Sequence, residues 1–153
     1  MATVRRHIWL ALLILSIVAF TLGIVFIVQG FTTSDWLSEA MRQEAVTLGL
    51  DESAIAEGEV VDSAAEAQRA GDIVREHRQG IAPTYNDLLA GGRYDPTNPE
   101  HLNYAQALNM ENYLYLAILG FGVTQMLIGT GVFMLVTGIA LGGTGLALRG
   151  RVS

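Results

Sequence analysis

Residues 8–28 read IWLALLILSIVAFTLGIVFIV, a run of 21 residues without a charged side chain. As an α-helix this run is roughly 31 Å long, which matches the hydrocarbon thickness of a bilayer, and a buried helix of a soluble protein rarely needs so long an apolar run. A cleaved signal peptide typically has a core of about 7–15 residues before a small-x-small site, and no Ala-x-Ala follows here. The run therefore predicts an uncleaved signal anchor, the first of two transmembrane helices.

A second uncharged run covers residues 112–148, 37 residues in all. It would be roughly 55 Å long as a straight helix, which is too long for one perpendicular span and too short for two. Tyr113 and Tyr115 resemble the aromatic side chains that mark a membrane interface, and Trp9 is in the equivalent position at the start of the first run. We therefore predict a second transmembrane helix over residues 113–141.

Charge is segregated along the chain. Residues 29–112 hold all 15 acidic residues but only five of the nine Arg, which gives this segment a net charge of −10. The other four basic residues flank the apolar runs and are Arg5, Arg6, Arg149 and Arg151. Because Lys and Arg collect on the cytoplasmic side of membrane proteins, both chain ends are predicted to be cytoplasmic and the acidic segment extracytoplasmic.

These patterns predict an all-α membrane protein with two transmembrane helices in an antiparallel hairpin and a helical extracytoplasmic segment. The predicted segments are a cytoplasmic N-terminus over 1–7, transmembrane helix 1 over 8–28, the acidic segment over 29–112, transmembrane helix 2 over 113–141 and a cytoplasmic tail over 142–153. All basic residues are Arg and none is Lys, which is typical of a GC-rich bacterial gene, so the bacterial inner (cytoplasmic) membrane is the predicted location.

The acidic segment contains signals for three helices. Thr32 begins a Thr-Thr-Ser-Asp cap for a helix that could also be continuous with the first span, and Ser63 and Glu66 form a capping-box pattern. Asn98 followed by Pro99 predicts the start of a helix that runs directly into the second span. Leu, Ile, Val and Phe are only 15 of the 84 residues, about 18%, so we expect these helices to be ordered against each other, the membrane or a partner rather than to form a free-standing globular domain.

Small residues recur along the second apolar run. Thr-Gly pairs occur at 130–131, 137–138 and 144–145, a spacing of two helical turns. Glycine lets another backbone approach closely, which predicts a helix-packing face, whereas ordinary tolerance of glycine in membrane helices is the alternative. The predicted packing residues are Gly122, Gly129, Gly131, Gly138, Gly142 and Gly145. Whether their partner is the first span, a second copy or another protein is left open.

Gln125 is the strongly polar side chain of the predicted second span. It would lie roughly 14 Å below the outer edge, near the middle of the membrane. An unpaired amide is costly in hydrocarbon, so we expect Gln125 to face protein and to form an interhelical hydrogen bond. A ligand contact is the alternative.

Motifs for catalysis are missing from the sequence. The chain has no cysteine, which excludes disulfides, Cys-ligated metals and thiol catalysis. Three histidines are present, His7, His77 and His101, but no HExxH or two-His-one-carboxylate spacing accompanies them. No phosphate loop or nucleophile elbow is visible, and no basic patch suits nucleic acid. We therefore predict no catalytic, cofactor-binding or metal-binding residues and no enzymatic activity.

Several phrases of the chain resemble an uncharacterised group of two-span membrane proteins from actinobacteria and related bacteria. They are QEAVTLGL at 43–50, VDSAAEAQRAGDIVREH at 61–77, PTYNDLL at 83–89 and ENYLYLAILGFGVTQMLIGTG at 111–131. Members of that group often carry the label aromatic ring-opening dioxygenase, an activity that needs an iron site of two His and a carboxylate. Only His77 and His101 share a compartment, so the resemblance implies architecture rather than activity.

Three functional hypotheses follow from the sequence. The first is an accessory or scaffold subunit of a membrane assembly, or a homo-oligomer, whose partners are the lipid bilayer and other transmembrane helices. The second is an extracytoplasmic sensor or ligand-binding module, which predicts a pocket outside the membrane. The third, and the least favoured, is a metal-dependent enzyme that uses His77 or His101 with nearby carboxylates.

Overall fold

A computed structural model describes residues 2–150, with side chains from residue 7 onward, and in this part of the chain it contains helices and no strand. The all-helical fold class is therefore confirmed. The helices are α1 (Ala2–Glu44), α2 (Glu52–Ala56), α3 (Ala64–Ile81), α4 (Tyr85–Leu89) and α5 (Pro99–Arg149). Two of them, α1 and α5, are long and apolar enough to cross a membrane.

The helix α1 continues without a break past the first apolar run. The Oγ1 hydroxyl of Thr32 donates a hydrogen bond of 2.9 Å to the carbonyl oxygen of Val28, one turn earlier in the same helix. A threonine that bonds back to its own helix does not cap a new one. The predicted cap at Thr32 is therefore wrong, and the alternative, a helix continuous with the first run, is confirmed.

The other two sequence signals for helix starts are confirmed. Ser63 and Glu66 form a reciprocal capping box at the start of α3, with the Glu66 carboxylate accepting from the backbone N–H of Ser63 at 3.2 Å. Pro99 is the first residue of α5, and the side chain of Asn98 accepts a hydrogen bond of 2.9 Å from the backbone N–H of Glu100. Local capping chemistry thus suffices to set where these two helices begin.

The chain divides into two compact units, each with residues from α1 and α5. Unit 1 consists of Met1–Ser34 and Val123–Ser153, and unit 2 consists of Asp35–Gly122. All 15 acidic residues of the chain belong to unit 2, and unit 1 contains none.

Unit 1 is held together by close backbone contact between α1 and α5. A Cβ atom placed on Gly131 would lie 2.7 Å from the carbonyl oxygen of Gly23, a distance that real Cβ atoms do not reach. The same face of α5 includes Gly138, whose carbonyl oxygen accepts a hydrogen bond of 2.6 Å from the Oγ of Ser16. Residue numbers along the contact rise on α5 as they fall on α1, so the two segments pack antiparallel.

The outward faces of unit 1 are apolar. Large side chains are more than half exposed on both helices, among them Ile17 (66%), Met126 (74%) and Phe133 (70%). Exposed apolar area on this scale needs a cover, which is a membrane or a protein.

Unit 2 has a hydrophobic core to which α1, α3 and α5 all contribute. Its buried members are Met41, Val61, Ala67, Ala70, Val74, Leu114, Ala117 and Phe121. The last three come from beyond residue 112, where the sequence placed the second span. This core therefore includes residues beyond the segment 29–112, and unit 2 extends ten residues further, to Gly122.

Candidate functional site

A buried carboxylate organises one side of unit 2. Glu111 on α5 is 6% exposed and accepts hydrogen bonds from the Nε atoms of Arg78 at 2.6 Å and Arg75 at 3.2 Å. The Nη1 of Arg78 also donates to the hydroxyl of Tyr104 at 2.6 Å. This network fixes α3 against α5 through charge-assisted hydrogen bonds, which are stronger than neutral ones.

The pKa of Glu111 reflects a balance of two effects. Burial raises the pKa of a carboxyl, but the hydrogen bonds and the positive charges of Arg78 and Arg75 together outweigh burial and hold the pKa of Glu111 below its usual value. Glu66 behaves in the same way, because the Ser63 hydroxyl and two backbone N–H groups lower its pKa against the opposing effect of burial. Both carboxyls are therefore charged at neutral pH.

A tight turn after α1 shapes the neighbouring surface. Ala45 and Gly49 have φ values of +49° and +82°, and the backbone N–H of Val61 donates a 2.7 Å hydrogen bond to the carbonyl oxygen of Val46. The turn brings Gly49 against α3, where a Cβ atom on this glycine would lie 3.2 Å from the Cδ1 of Ile73. Leu48 is left at the edge of α3, 37% exposed.

Leu48 forms one wall of a cavity of about 400 Å³, here called the outer groove. The groove lies between α3 and α5. Its lining residues are Leu48, Ile73, Val74, His77, Asn103, Gln106, Ala107 and Met110. Clefts of about 300–1,000 Å³ with mostly apolar walls and a few polar groups are typical ligand sites.

A second apolar feature of unit 2, here called the Trp36 patch, consists of Trp36, Leu116 and Leu119. Their side chains are 68%, 65% and 63% exposed, respectively. Trp36 and Leu116 also line a shallow groove of about 210 Å³ between α1 and α5. Trp36 was not among the residues predicted from the sequence, although an aromatic residue next to the first acidic residue after an apolar run is a usable signal for an interface.

The predicted packing glycines fall on two different faces of α5. Gly131, Gly138, Gly142 and Gly145 contact α1, at Gly23, Ser16 and Leu13 among others. A Cβ atom added at Gly122 or Gly129 would meet nothing within 4 Å. Gly122 and Gly129 are seven residues apart, and so are Gly131, Gly138 and Gly145 in turn. The two series nevertheless lie on different sides of the helix.

Gln125 is exposed in this structure rather than buried against a helix. A Cβ atom on Gly30 would contact the carbonyl oxygen of Thr124 and the backbone nitrogen of Ile128, so Gln125 lies alongside the end of the first apolar run rather than its middle. Within the described residues its side chain forms no interhelical hydrogen bond, which corrects that part of the prediction. The register of α5 against α1, which spacing alone cannot supply, accounts for the difference.

The three predicted interface aromatics have different surroundings. The hydroxyl of Tyr115 donates a 2.9 Å hydrogen bond to Asp72, and its ring lies 4.8 Å from the guanidinium of Arg75. Tyr115 is therefore part of the packing of unit 2 and is not a free interface anchor. Tyr113 is 38% exposed, and Trp9 is stacked under the guanidinium of Arg149 at 5.5 Å.

The contact between Trp9 and Arg149 brings the ends of the two apolar runs together at one end of unit 1. Of the four Arg from which the orientation was predicted, Arg149 is the one whose side chain the structure describes. The side chains of Arg5 and Arg6, and all of Arg151, lie outside the described residues.

The outer histidines have separate environments. His101 accepts a 3.0 Å hydrogen bond from the backbone N–H of Asp95 at its Nδ1, and its ring stacks on Tyr94 at 5.6 Å. His77 lines the outer groove. Among the described residues, no group of three or more His, Cys, Asp or Glu side chains is arranged to hold a metal ion.

Comparison of this chain with models of known protein families, with curated proteins and with solved structures finds no match. The resemblance to the actinobacterial two-span group therefore stays a prediction.

Proposed function

We propose that this chain is an integral membrane protein without enzymatic activity, an accessory or scaffold subunit that docks a partner through unit 2 outside the bacterial cytoplasmic membrane. Unit 1 would be the transmembrane hairpin. The observation that carries the docking proposal is the Trp36 patch, because it exposes three large apolar side chains on the unit that holds every acidic residue of the chain.

The contact register supports a revised second span. Along the contact, Gly23 meets Gly131 and Trp9 meets Gly145, which pairs residues 8–28 of α1 with approximately 126–146 of α5. The uncharged run of α5 ends at Leu148, so this pairing aligns both apolar runs at their Arg-flanked ends. We therefore propose 126–146 as the membrane-spanning part of α5 in place of 113–141.

The revised span changes the predicted location of residues 112–125. They are uncharged but would lie beyond the hydrocarbon, because the matching part of α1 contains Asp35 and Glu39. Leu116 and Leu119 would then be exposed at or above the headgroups rather than to lipid tails. Gln125 would lie at the outer edge, where water and headgroups can hydrogen-bond its amide without the cost of an unpaired group in hydrocarbon.

Arg placement supports the proposed orientation. Arg5, Arg6 and Arg149 all belong to one end of the proposed hairpin, whereas the opposite end leads into a unit with a net charge of −10. The positive-inside rule then places both termini in the cytoplasm and unit 2 outside.

Gentle detergent extraction of the native protein, followed by native gels and mass spectrometry, tests the docking proposal. We expect a stoichiometric complex with a second protein or with further copies of this chain. A double variant, Leu116→Asn with Leu119→Asn, should lose the complex because it makes two side chains of the Trp36 patch polar. The matched control is Leu102→Asn, which replaces a leucine on α5 that is 42% exposed and lies outside the patch.

Two results would contradict the proposal. If the wild-type protein runs as a folded monomer after mild extraction, the proposed scaffold function is contradicted. A complex that survives in the double variant would show that the partner does not dock on the Trp36 patch.

The outer groove favours a second candidate function, an extracytoplasmic ligand-binding module. The two functions differ in a simple measurement, because a ligand raises the thermal stability of unit 2 by binding only its folded state, whereas a scaffold needs no small molecule.

A further inference from the structure

We propose that the outer groove binds a small neutral amphiphile, an inference that rests on the second candidate function. The apolar tail would lie over Leu48, Ile73 and Met110, and a hydrogen-bonding head would face His77, Asn103 and Gln106.

The apolar half of the groove is incompletely covered by the protein. Leu48, Ile73 and Met110 are 37%, 41% and 39% exposed, and they surround Val74, which is buried at 5%. These side chains come from three separate parts of unit 2 and line one cavity. Covering them with an apolar tail removes this surface from water, which is favourable in proportion to the area covered.

The polar half consists of side chains that are free to bind a ligand. Asn103, Gln106 and Met110 follow at intervals of three and four along α5, and Ile73 and His77 are four apart on α3, so each helix presents a continuous stripe. In the part of the chain that the structure describes, no side-chain hydrogen bond involves His77, Asn103 or Gln106. Amide and imidazole groups together offer both donors and acceptors to a hydroxyl or amide head group.

The charges around the groove favour a neutral head group. No Asp, Glu or Arg lines the groove, so a cationic head would be partly desolvated without a carboxylate to pair with. The net charge of −10 on the surrounding unit repels an anionic head. A neutral head that hydrogen-bonds avoids both costs, and a volume of about 400 Å³ suits a molecule at the small end of ligand size.

Site-resolved photolabelling of the full-length protein in lipid nanodiscs tests this inference. The probe is a ten-carbon primary alcohol with a mid-chain diazirine, compared with its carboxylate and trimethylammonium counterparts. Mass spectrometry then locates the labelled residues, so probe that only partitions into the bilayer is distinguished by its labels on unit 1. We expect the alcohol to label peptides that contain Ile73 and Met110, and both charged probes to label them several-fold less.

Two variants sharpen the test. Asn103→Trp fills the groove and should abolish its labelling, whereas Asn109→Trp places the same side chain on another face of α5 and should not. Gln106→Leu removes one hydrogen-bonding group and should lower labelling by the alcohol about two- to tenfold.

The inference is overturned if the alcohol labels only unit 1, if either charged probe labels the groove as well as the alcohol does, or if Asn103→Trp leaves groove labelling intact. Stronger labelling by the trimethylammonium probe would identify a cation site instead. A failure of this kind leaves the scaffold proposal standing, because that proposal is judged by the complex and by the Leu116→Asn, Leu119→Asn variant.

Discussion

Unit 1 and unit 2 use parts of the same two helices but hold them together in different ways. In unit 1 the contact consists of glycine backbones, with Gly131 against Gly23, and the outward faces are apolar. In unit 2 a carboxylate, Glu111, is buried between two guanidinium groups, and the outward faces carry the acidic residues. The comparison shows that one helix can change its packing chemistry along its length.

The physical reason is the cost of polar groups in each environment. If lipid surrounds the apolar outward faces, the hydrophobic effect does not drive the two helices together. Close van der Waals packing through small residues then holds the helix pair. In water, apolar burial and charge-assisted hydrogen bonds both contribute, and unit 2 uses both. Four experiments test this difference between the two units.

The largest expected effect is that of Glu111→Gln on unit 2. The neutral amide leaves Arg75 and Arg78 without their buried counter-charge, and breaking a buried ion pair from one side costs about 3 kcal/mol or more. The chain has two Trp, so a Trp9→Phe background makes Trp36 the single fluorescent reporter of unit 2 during urea unfolding in nanodiscs. Glu100→Gln, an exposed position on α5, is the control, and equal losses in the two variants would refute a special role for Glu111.

The second effect belongs to unit 1. Gly131→Ala forces a methyl group against the carbonyl oxygen of Gly23, and we expect overpacking to destabilise the helix pair by about 1–3 kcal/mol. Gly129→Ala adds the same methyl where nothing lies within 4 Å and should leave stability unchanged or slightly improved. The measurement is the midpoint of unfolding in mixed micelles, with Trp9 as reporter in a Trp36→Phe background. If both variants behave alike, the register described for unit 1 is incorrect.

Acidification separates the two units without mutation. Because the pKa values of Glu66 and Glu111 are lowered in the folded state, their contribution to stability is complete above the carboxyl pKa of the unfolded chain, about 4.3. It is lost as the pH falls further, through the lowered folded-state values. Unit 1 has no carboxylate side chain, so its helix contact should be insensitive over the same range. If the urea midpoint of unit 2 is no lower at pH 3 than at pH 6, this assignment is contradicted.

The smallest effect is that of the helix cap. Ser63→Ala removes the hydroxyl that accepts from the backbone N–H of Glu66 and donates to its carboxylate at 2.7 Å. Loss of such a cap typically costs about 1 kcal/mol. The expected shift in the urea midpoint of unit 2 is therefore about a third of that for Glu111→Gln. Thr84→Ala, at the cap of the short helix α4, should shift the midpoint less, and the reverse order would show that α3 is not a stability-determining element.

Features that depend on near neighbours in sequence were predictable. The all-helical class, the capping box at Ser63, the helix start at Pro99 and two helices able to cross a membrane all follow from local spacing and composition. The predicted cap at Thr32 is wrong because a threonine can also bond to its own preceding turn, and the sequence is compatible with either arrangement. The extracytoplasmic location and the scaffold function stay predictions.

The outer groove and the Trp36 patch were not predictable in the same way. The groove joins residues from 48 to 110, and their meeting depends on the positive φ values at Ala45 and Gly49 and on the long-range pairing of Arg78 with Glu111. Helical periodicity identifies a stripe of residues on α3 or on α5 but not which stripes face each other. The register between helices is a property of the whole packing.

Sequence alone is enough to predict the two long apolar runs, the confinement of all acidic residues to the segment between these runs and the capping of α3 and α5, because length, charge and caps act over a few turns of one helix. The folded structure was needed to show which glycines contact the partner helix and that Gln125 lies level with Gly30. It was also needed to show that Leu114, Ala117 and Phe121 belong to the core of unit 2. The composition of two uncharged runs of unequal length is compatible with several registers between them. The specific contacts of Gly23 with Gly131 and of Glu111 with its two Arg partners set one register.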